Sequence, residues 1–430
     1  MSLRIGICGL GTVGAAVLGL LKDRSGLLQQ RSGTEMEVVA VSARNRNLER
    51  PVSLHGIPWF DDPIDMAAHP DIDVIVELIG GSDGIALDIC KTALASHKHI
   101  VTANKALIAH HGLDLAEKAE AVGSTIGFEA AVAGGIPVIK VLREGLAANG
   151  VDSIYGILNG TSNYILSEMR DNGSDFGTVL KEAQDKGYAE ADPQFDIDGT
   201  DAAHKLTILA ALAFGCRPSF DDVTIAGISD ISELDISFSD ELGYRIKLLA
   251  IARRGLDGYQ QSVEPCMVPK VSPIANVEGV FNAVSLHGDR SGPIFLEGRG
   301  AGAAPTASAV VADLVDLARG ISLPIFGVPT KSLAPNTASV VGTITGRYYV
   351  RLMVLDRPGV FAEIAAALRD EDVSMEAILQ RTRAPGDLVP VVMTTHEVEQ
   401  RKIGRVLEKF SSLETVIEEP RVIKIEPLGG

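Results

Sequence analysis

The sequence predicts an α/β protein in three parts, and three observations carry that prediction. Residues 3–14, LRIGICGLGTVG, set Gly9, Gly11 and Gly14 between a short apolar strand and a helical pattern. Strands and helices then alternate to about residue 137, the mark of a parallel sheet covered on both faces. Residues 347–427 run strand, helix, strand, strand, helix, strand, which suggests a ferredoxin-like sandwich. The expected organisation is a Rossmann-type dinucleotide-binding domain over 1–137, completed by 300–322. An α+β substrate and oligomerisation domain over 138–299, a linker over 323–346 and the C-terminal unit over 347–430 follow.

Bulk properties narrow the class. The chain has 430 residues, long enough for several cores. With 46% apolar and 22% charged residues it reads as globular rather than disordered. A formal charge of −17 argues against a nucleic-acid or anionic-membrane surface, which would call for a basic stripe. Cys8, Cys90, Cys216 and Cys266 are scattered without C-x-x-C spacing, as expected of reduced thiols. Ile5–Leu21 superficially resembles a signal peptide, but its glycine spacing serves no targeting purpose. No other uncharged apolar run reaches membrane-spanning length, so a cytoplasmic protein is expected.

In a dinucleotide fold each glycine of the N-terminal loop has a task. Gly9 permits the tight turn, Gly11 lets backbone approach the pyrophosphate, and Gly14 lets helix pack on strand. Leu10 lies within the loop, and the phosphates would meet N–H groups at the helix start near Thr12 and Val13. The second strand, Glu37–Val41, ends in Ser42-Ala43-Arg44-Asn45-Arg46 rather than in the acid that accepts from a ribose 2′-hydroxyl. Two arginines suit a 2′-phosphate, so NADP is preferred, with NAD left open.

A buried-type strand over Asp73–Ile79 ends at Gly80-Gly81, and a helix follows from about Ile85 to His97. The next strand delivers Asn104 and Lys105 to the carboxyl edge of the sheet, where ligands bind in open parallel sheets. A strand over Ser124–Phe128 leads through the turn Glu129–Pro137 to a helix over Val138–Ala147. That turn is either a tight connection or a set of carbonyls for a hard cation.

The second part opens with a strand and a Gly160-Thr161-Ser162 helix start, a ready carboxylate site. Gly187–Lys205, GYAEADPQFDIDGTDAAHK, then packs four Asp, one Glu and a Lys ahead of the apolar run LTILAALAF. Asp198, Thr200 and Asp201 are good helix-start residues, and Asp201 with Lys205 could be a surface i,i+4 pair. The sharper reading is a site for a small substrate bearing an ammonium, with a lysine near its reacting oxygen. Residues 221–300 read as several short strands with Gly and Pro. Residues 298–319 read as a glycine loop feeding a long helix.

These motifs together resemble the homoserine dehydrogenase family, in its monofunctional form with a C-terminal ACT domain. The resemblance rests on GLGTVG (9–14), TANKALIA (102–109), EAAVAGGIP (129–137), GILNGTSNYIL (156–166), the acidic stretch and GRGAGAAPTASAVVADL (298–314). LDRPGVFAEIA (355–365) resembles the start of an ACT domain, with Asp356 where many have Asn. The resemblance implies NAD(P)-dependent interconversion of L-homoserine and L-aspartate 4-semialdehyde, in threonine and methionine synthesis. It implies catalytic roles for Lys205 and Lys105, with Asp201 holding Lys205. Substrate contacts fall to Gly160, Thr161, Tyr188, Glu190, Asp196 and Asp201. Gly187 and Gly302 match cofactor-contacting positions, and Lys105 is expected beside the nicotinamide. Glu129, Val132, Gly134 and Ile136 match a monovalent-cation site such as one for sodium. Threonine is the expected effector, and a homodimer or homotetramer the expected assembly.

Two rivals make different demands. An aspartate-semialdehyde dehydrogenase would need a cysteine nucleophile with a histidine, and neither Cys216 nor Cys266 has that context. An NADP-binding amino-acid sensor would have no need of paired lysines beside an acid cluster.

Overall fold

The N-terminal part is built on a parallel sheet of β1 (Ser2–Cys8), β2 (Glu35–Ser42), β3 (Val74–Glu77), β4 (His99–Thr102) and β5 (Ile126–Gly127). Its order is β2-β1-β3-β4-β5, so the chain reverses direction between β1 and β3. That reversal opens a crevice at the carboxyl ends of the two strands, the usual ligand position in such sheets. All four residues of β3 are buried, as a strand covered on both faces requires. On one face Val17, Leu18 and Leu21 of the helix Thr12–Asp23 share a core with Val310, Val311 and Leu314 of Ala303–Ala318. The helices Ile85–Ala95 and Lys105–Val122 contribute to the larger core that continues into the second part. The computed structural model describes residues 2–255, 258–335, 345–381 and 386–428.

The second part contributes β6 (Val151–Ile157), β7 (Thr224–Ile225), β8 (Tyr244–Arg254), β9 (Tyr259–Pro269), β10 (Phe281–Gly288) and β11 (Gly292–Arg299). The short strands expected over 221–300 are instead dominated by two paired strands of 11 residues each. Pro265 misled that reading, because proline normally ends an interior strand. Here the far side of β9 pairs with β7 only at Ser262 and Val263 and with a later strand only at Cys266 and Met267. Pro265 falls in the gap between them. The helix Thr200–Phe214 lies against this sheet and is buried along almost its whole length.

The C-terminal unit adds β12 (Thr345–Leu355), β13 (Met375–Leu379), β14 (Leu388–Thr395), β15 (Val398–Glu399) and β16 (Arg421–Ile425). Its main strands run in the order β16-β12-β14-β13, with helices Val360–Asp370 and Gln400–Ser411 packed on one shared core. The sequence suggested a separate unit, yet β16 pairs in parallel with β9 and makes one sheet of both parts. A buried ion pair reinforces the seam. Arg351 Nε donates to Asp235 Oδ1 at 2.7 Å and Tyr349 Oη donates to the same oxygen at 3.0 Å. Within the expected linker, Ile325, Phe326 and Leu333 are buried and Ala334 bridges to Cys216, so 323–335 is packed chain. Residues 336–344 of that linker lie outside the described residues, and its last two, Thr345 and Gly346, belong to β12.

Candidate active site

The glycine loop meets the steric demands of a dinucleotide turn. Gly9 has φ +98, and a side chain there would strike the Leu78 carbonyl. A side chain at Gly14 would strike the Gly9 carbonyl, whereas Gly11 faces open space. Gly11 also starts the helix Thr12–Asp23 without any side-chain cap, so the first N–H groups, including those of Thr12 and Val13, lie at the crevice. A cavity of about 730 Å³ extends from Gly9, Leu10 and Gly11 past Ser42–Arg46 to Trp59, Leu78 and Ile79. Its size and its open helix start fit a dinucleotide.

Arg44 and Arg46 are exposed at that cavity, and a third arginine organises them. Arg50 donates to the carbonyls of Leu10 (3.2 Å), Leu48 (2.8 Å) and Asn45 (2.6 Å), pinning the arginine loop to the glycine loop. Arg46 and Arg50 also lie over the ring of Trp59, at 5.8 and 5.5 Å. Sequence reasoning passed over Arg50 and Trp59, because nothing local tied either to the glycine loop.

The second cluster forms where the two parts meet. Lys105 is not a strand residue; it opens the helix Lys105–Val122, capped by Asn104, whose Oδ1 accepts from Leu107 N at 3.1 Å. Its Nζ lies 3.2 Å from Asp201 Oδ1. Lys205 Nζ donates to Asp201 Oδ2 at 2.7 Å and to the Leu158 carbonyl at 2.6 Å. One carboxylate therefore holds two lysines from different domains. Asn159 Nδ2 donates to Asp201 Oδ2 and to Asp196 Oδ1, both at 2.8 Å, tying the acidic stretch to the Gly160–Asn172 helix start. Asn159 was missed in the sequence although it stands in the GILNGTSNYIL motif.

The surface ion pair allowed by the i,i+4 spacing is thus a buried one. Helix capping by Thr200 or Asp201 does not occur either: Gly199, at φ +91, precedes the helix, and Asp198 Oδ1 accepts from Thr200 N at 2.8 Å. Burial by itself would raise the Asp201 carboxyl, but Lys205, Lys105 and Asn159 outweigh it and hold it at about 2. Burial lowers the Lys205 amine, opposed by Asp201 and aided by the charge of Lys105. Burial also raises the Asp196 carboxyl, and the charge of Asp201 adds to that.

Other expected site residues gather less tightly. Thr161 Oγ1 donates to the Tyr188 carbonyl at 2.8 Å, bringing the Gly187–Tyr188 loop over the Gly160 helix start. Tyr188 is half-exposed, its ring 4.9 Å from that of Tyr164. Glu190 is exposed, with Gln184 Nε2 donating to its carbonyl at 3.1 Å, and its carboxylate is not joined to the lysine cluster among the described contacts. Gly302, at φ +113, begins the helix Ala303–Ala318. Phe195 and His204 add an aromatic wall: Phe195 stacks on His204 at 5.4 Å and has Lys105 Nζ 5.9 Å from its ring. His204 Nε2 lies 3.0 Å from His110 Nε2.

The turn carrying Glu129, Val132, Gly134 and Ile136 is tight, with Ala133 and Gly134 both at positive φ. The Glu129 carboxylate accepts from Ile139 N and Lys140 N, each at 2.9 Å, and is spent on that helix start. Burial and then the nearby charge of Asp313 push this carboxyl up to about 7. Only main-chain carbonyls are left to serve a cation, a donor set suited to a weakly charged ion. Among the described residues no His, Cys, Asp and Glu group is arranged to hold a metal.

Comparison with known proteins decides the family. The homoserine dehydrogenase model matches residues 137–315, and the model for the NAD-binding domain of homoserine dehydrogenase matches 9–129. The ACT domain model matches 348–415. The chain is 44% identical to the homoserine dehydrogenase of Pseudomonas aeruginosa over 433 residues, covering 99% of each chain. The chain belongs to the homoserine dehydrogenase family. It is therefore an oxidoreductase with a nicotinamide-cofactor domain. The crystal structure of a homoserine dehydrogenase from Thiobacillus denitrificans superposes with a TM-score of 0.93 at 43% identity, covering 100% of this chain and 99% of that one. A hyperthermophilic archaeal homoserine dehydrogenase in complex with NADPH superposes at 0.64 and 27% identity, over 75% of this chain and 99% of that one. Among the described residues no helix is long and apolar enough to cross a membrane.

Proposed function

We propose that the chain interconverts L-homoserine and L-aspartate 4-semialdehyde in the cytoplasm, with NADP as its favoured cofactor. The observation that carries this reading is the single carboxylate of Asp201 joining Lys105 and Lys205 at the domain boundary. A nicotinamide cofactor, held by the glycine loop, would supply the hydride acceptor for C4 of homoserine. Lys205 would accept the hydroxyl proton as the C–O bond becomes a carbonyl, a role that burial favours by lowering its pKa. Lys105 orients the same oxygen and stabilises charge on it. Asp201 keeps both amines in place without taking the proton, since it stays ionised far below neutrality.

The substrate carboxylate would meet the N–H groups of Gly160 and Thr161, and its ammonium Glu190 and Asp201, directly or through water, with Asp196 and Tyr188 beside them. Gly9, Leu10, Gly11, Thr12, Val13 and Gly14 would hold the pyrophosphate and Arg44 the 2′-phosphate, with Gly187 and Gly302 flanking the nicotinamide half. A sodium-like ion would take the carbonyls of Glu129, Val132, Gly134 and Ile136. The C-terminal unit would pair in a homodimer or homotetramer and bind threonine. A cavity of about 420 Å³ beside the Asp356–Gly359 turn, with the uncapped helix start at Gly359, supports that part.

One assay tests the whole reading: steady-state oxidation of homoserine with NADP⁺ and with NAD⁺, each with and without millimolar threonine. Turnover with homoserine, better with NADP⁺ and slowed by threonine, is expected. No turnover with either cofactor would leave the sensor reading standing, and indifference to threonine would remove the effector.

A further inference from the structure

A buried acid at the carboxyl edge of the parallel sheet has no place in that chemistry. Glu77 ends β3, is fully buried, and forms no ion pair among the described residues. An ionised carboxylate without a counter-ion is expensive to bury unless hydrogen bonds replace its water. Glu77 Oε1 accepts from Ile79 N at 2.7 Å and Gly80 N at 3.1 Å, and Oε2 accepts from Thr102 Oγ1 at 2.6 Å. The first two bonds fix the turn in which Gly80 and Gly81 both take positive φ.

The third bond leads to the catalytic cluster. Thr102 ends β4, and its Oγ1 accepts from Asn104 N at 3.0 Å. Asn104 Nδ2 returns to the same turn, donating to the Gly81 carbonyl at 2.7 Å, while its Oδ1 caps the helix that Lys105 opens. The chain of bonds Glu77, Thr102, Asn104, Gly81 closes through the Gly80–Gly81 peptide, since Gly80 N donates back to Glu77. It clamps the strand ends β3 and β4 together and sets the first turn of the helix that aims Lys105 at Asp201.

We infer that Glu77 is a positioning residue for the reaction, acting through Thr102 and Asn104 on Lys105. This rests on the proposed role of Lys105 at the reacting oxygen. A structural anchor would lower the folded fraction or the rate regardless of Lys105. A positioning residue loses its effect once the group it positions is gone. The test is therefore a double-mutant cycle of Glu77→Ala with Lys105→Ala, reading kcat per folded enzyme. Glu77→Ala alone should lower kcat about tenfold or more, and Glu77→Gln, which keeps the shape, should restore most of that. In the Lys105→Ala background the further loss should be less than about twofold. Equal factors in both backgrounds would overturn the inference. Parent-like kcat for Lys105→Ala alone would instead bring down the lysine's own role, and the inference with it. Should Glu77→Ala not fold, Thr102→Val removes the connecting hydroxyl and serves in the same cycle with the same outcomes.

Discussion

The buried lysine cluster and the exposed arginine loop handle charge in opposite ways. At the domain boundary Lys205 and Asp201 are buried and bonded to each other, to Lys105, to Asn159 and to the Leu158 carbonyl. At the dinucleotide cavity Arg44 and Arg46 are exposed on a loop held by Arg50. The difference is what the proposed roles of the two regions would require. Charge that develops during a reaction is stabilised best by groups already fixed, because nothing then has to reorganise. A 2′-phosphate arrives fully charged, and a solvated guanidinium can wait for it at little cost.

The strongest challenge to this contrast is at Lys205. Lys205→Ala should lower kcat by about 10²–10⁴, with cofactor affinity nearly unchanged. Lys205→Arg sharpens the test, since it keeps the charge but cannot give up a proton near neutrality. If the arginine variant turns over close to the parent rate, fixed charge and not proton transfer is what the buried end provides. If the alanine variant does so, the assignment fails altogether.

Much of this arrangement was legible in the sequence, and the boundary of legibility is physical. The glycine spacing exposed the dinucleotide turn because Gly9 and Gly14 answer local steric demands and Gly11 leaves open space at the helix start. Asp201 and Lys205 were legible because four residues is one helical turn. The Lys105–Asp201 contact joins residues from two domains, and no local pattern encodes it. Asn159 escaped notice because only its capping bond to Ser162 N, 2.8 Å, is local, while its bonds to two aspartates are not. The β16–β9 seam was hidden for the same reason: two pairings and one buried Arg351–Asp235 pair leave little trace in composition.

His204 tests whether the buried end tolerates any further charge. Its ring lies against Phe220 at 4.4 Å, Phe195 at 5.4 Å and His110, with Lys105 and Asp201 nearby. Burial first, then His110 and Lys105, push it down to about 4, with Asp201 opposing. A histidine depressed in the folded state stabilises the protein above its ordinary value of about 6.5, and that stability drains away as pH falls towards 4. The raised Glu129 runs the other way, losing stability as pH rises through about 7. Comparing the parent with His204→Gln cancels it. Between pH 7 and 4.5 the parent should lose about 2–3 kcal/mol more than the variant in urea unfolding. Parallel losses would mean that the lysine cluster admits a third positive charge beside it after all.

The smallest expected effect lies at the exposed end and bears most directly on cofactor choice. Arg44 is exposed and lines the cavity at the end of β2, where an NAD-preferring fold would carry an acid. An exposed guanidinium bound to a phosphate contributes less than a buried one, since water competes for both partners. Arg44→Ala should therefore raise the Michaelis constant for NADP⁺ by about tenfold and leave that for NAD⁺ within about twofold, with kcat unchanged for either. Arg50 is the control that gives this meaning. Arg50→Ala frees the loop from the Leu10, Asn45 and Leu48 carbonyls, so it should weaken both cofactors together. A selective loss at Arg44 with a general loss at Arg50 separates the residue that reads the phosphate from the residue that holds its reader. Equal losses for NADP⁺ and NAD⁺ at Arg44 would take away the basis for preferring NADP. The exposed end would then be a lip of the crevice without any say in which cofactor enters it.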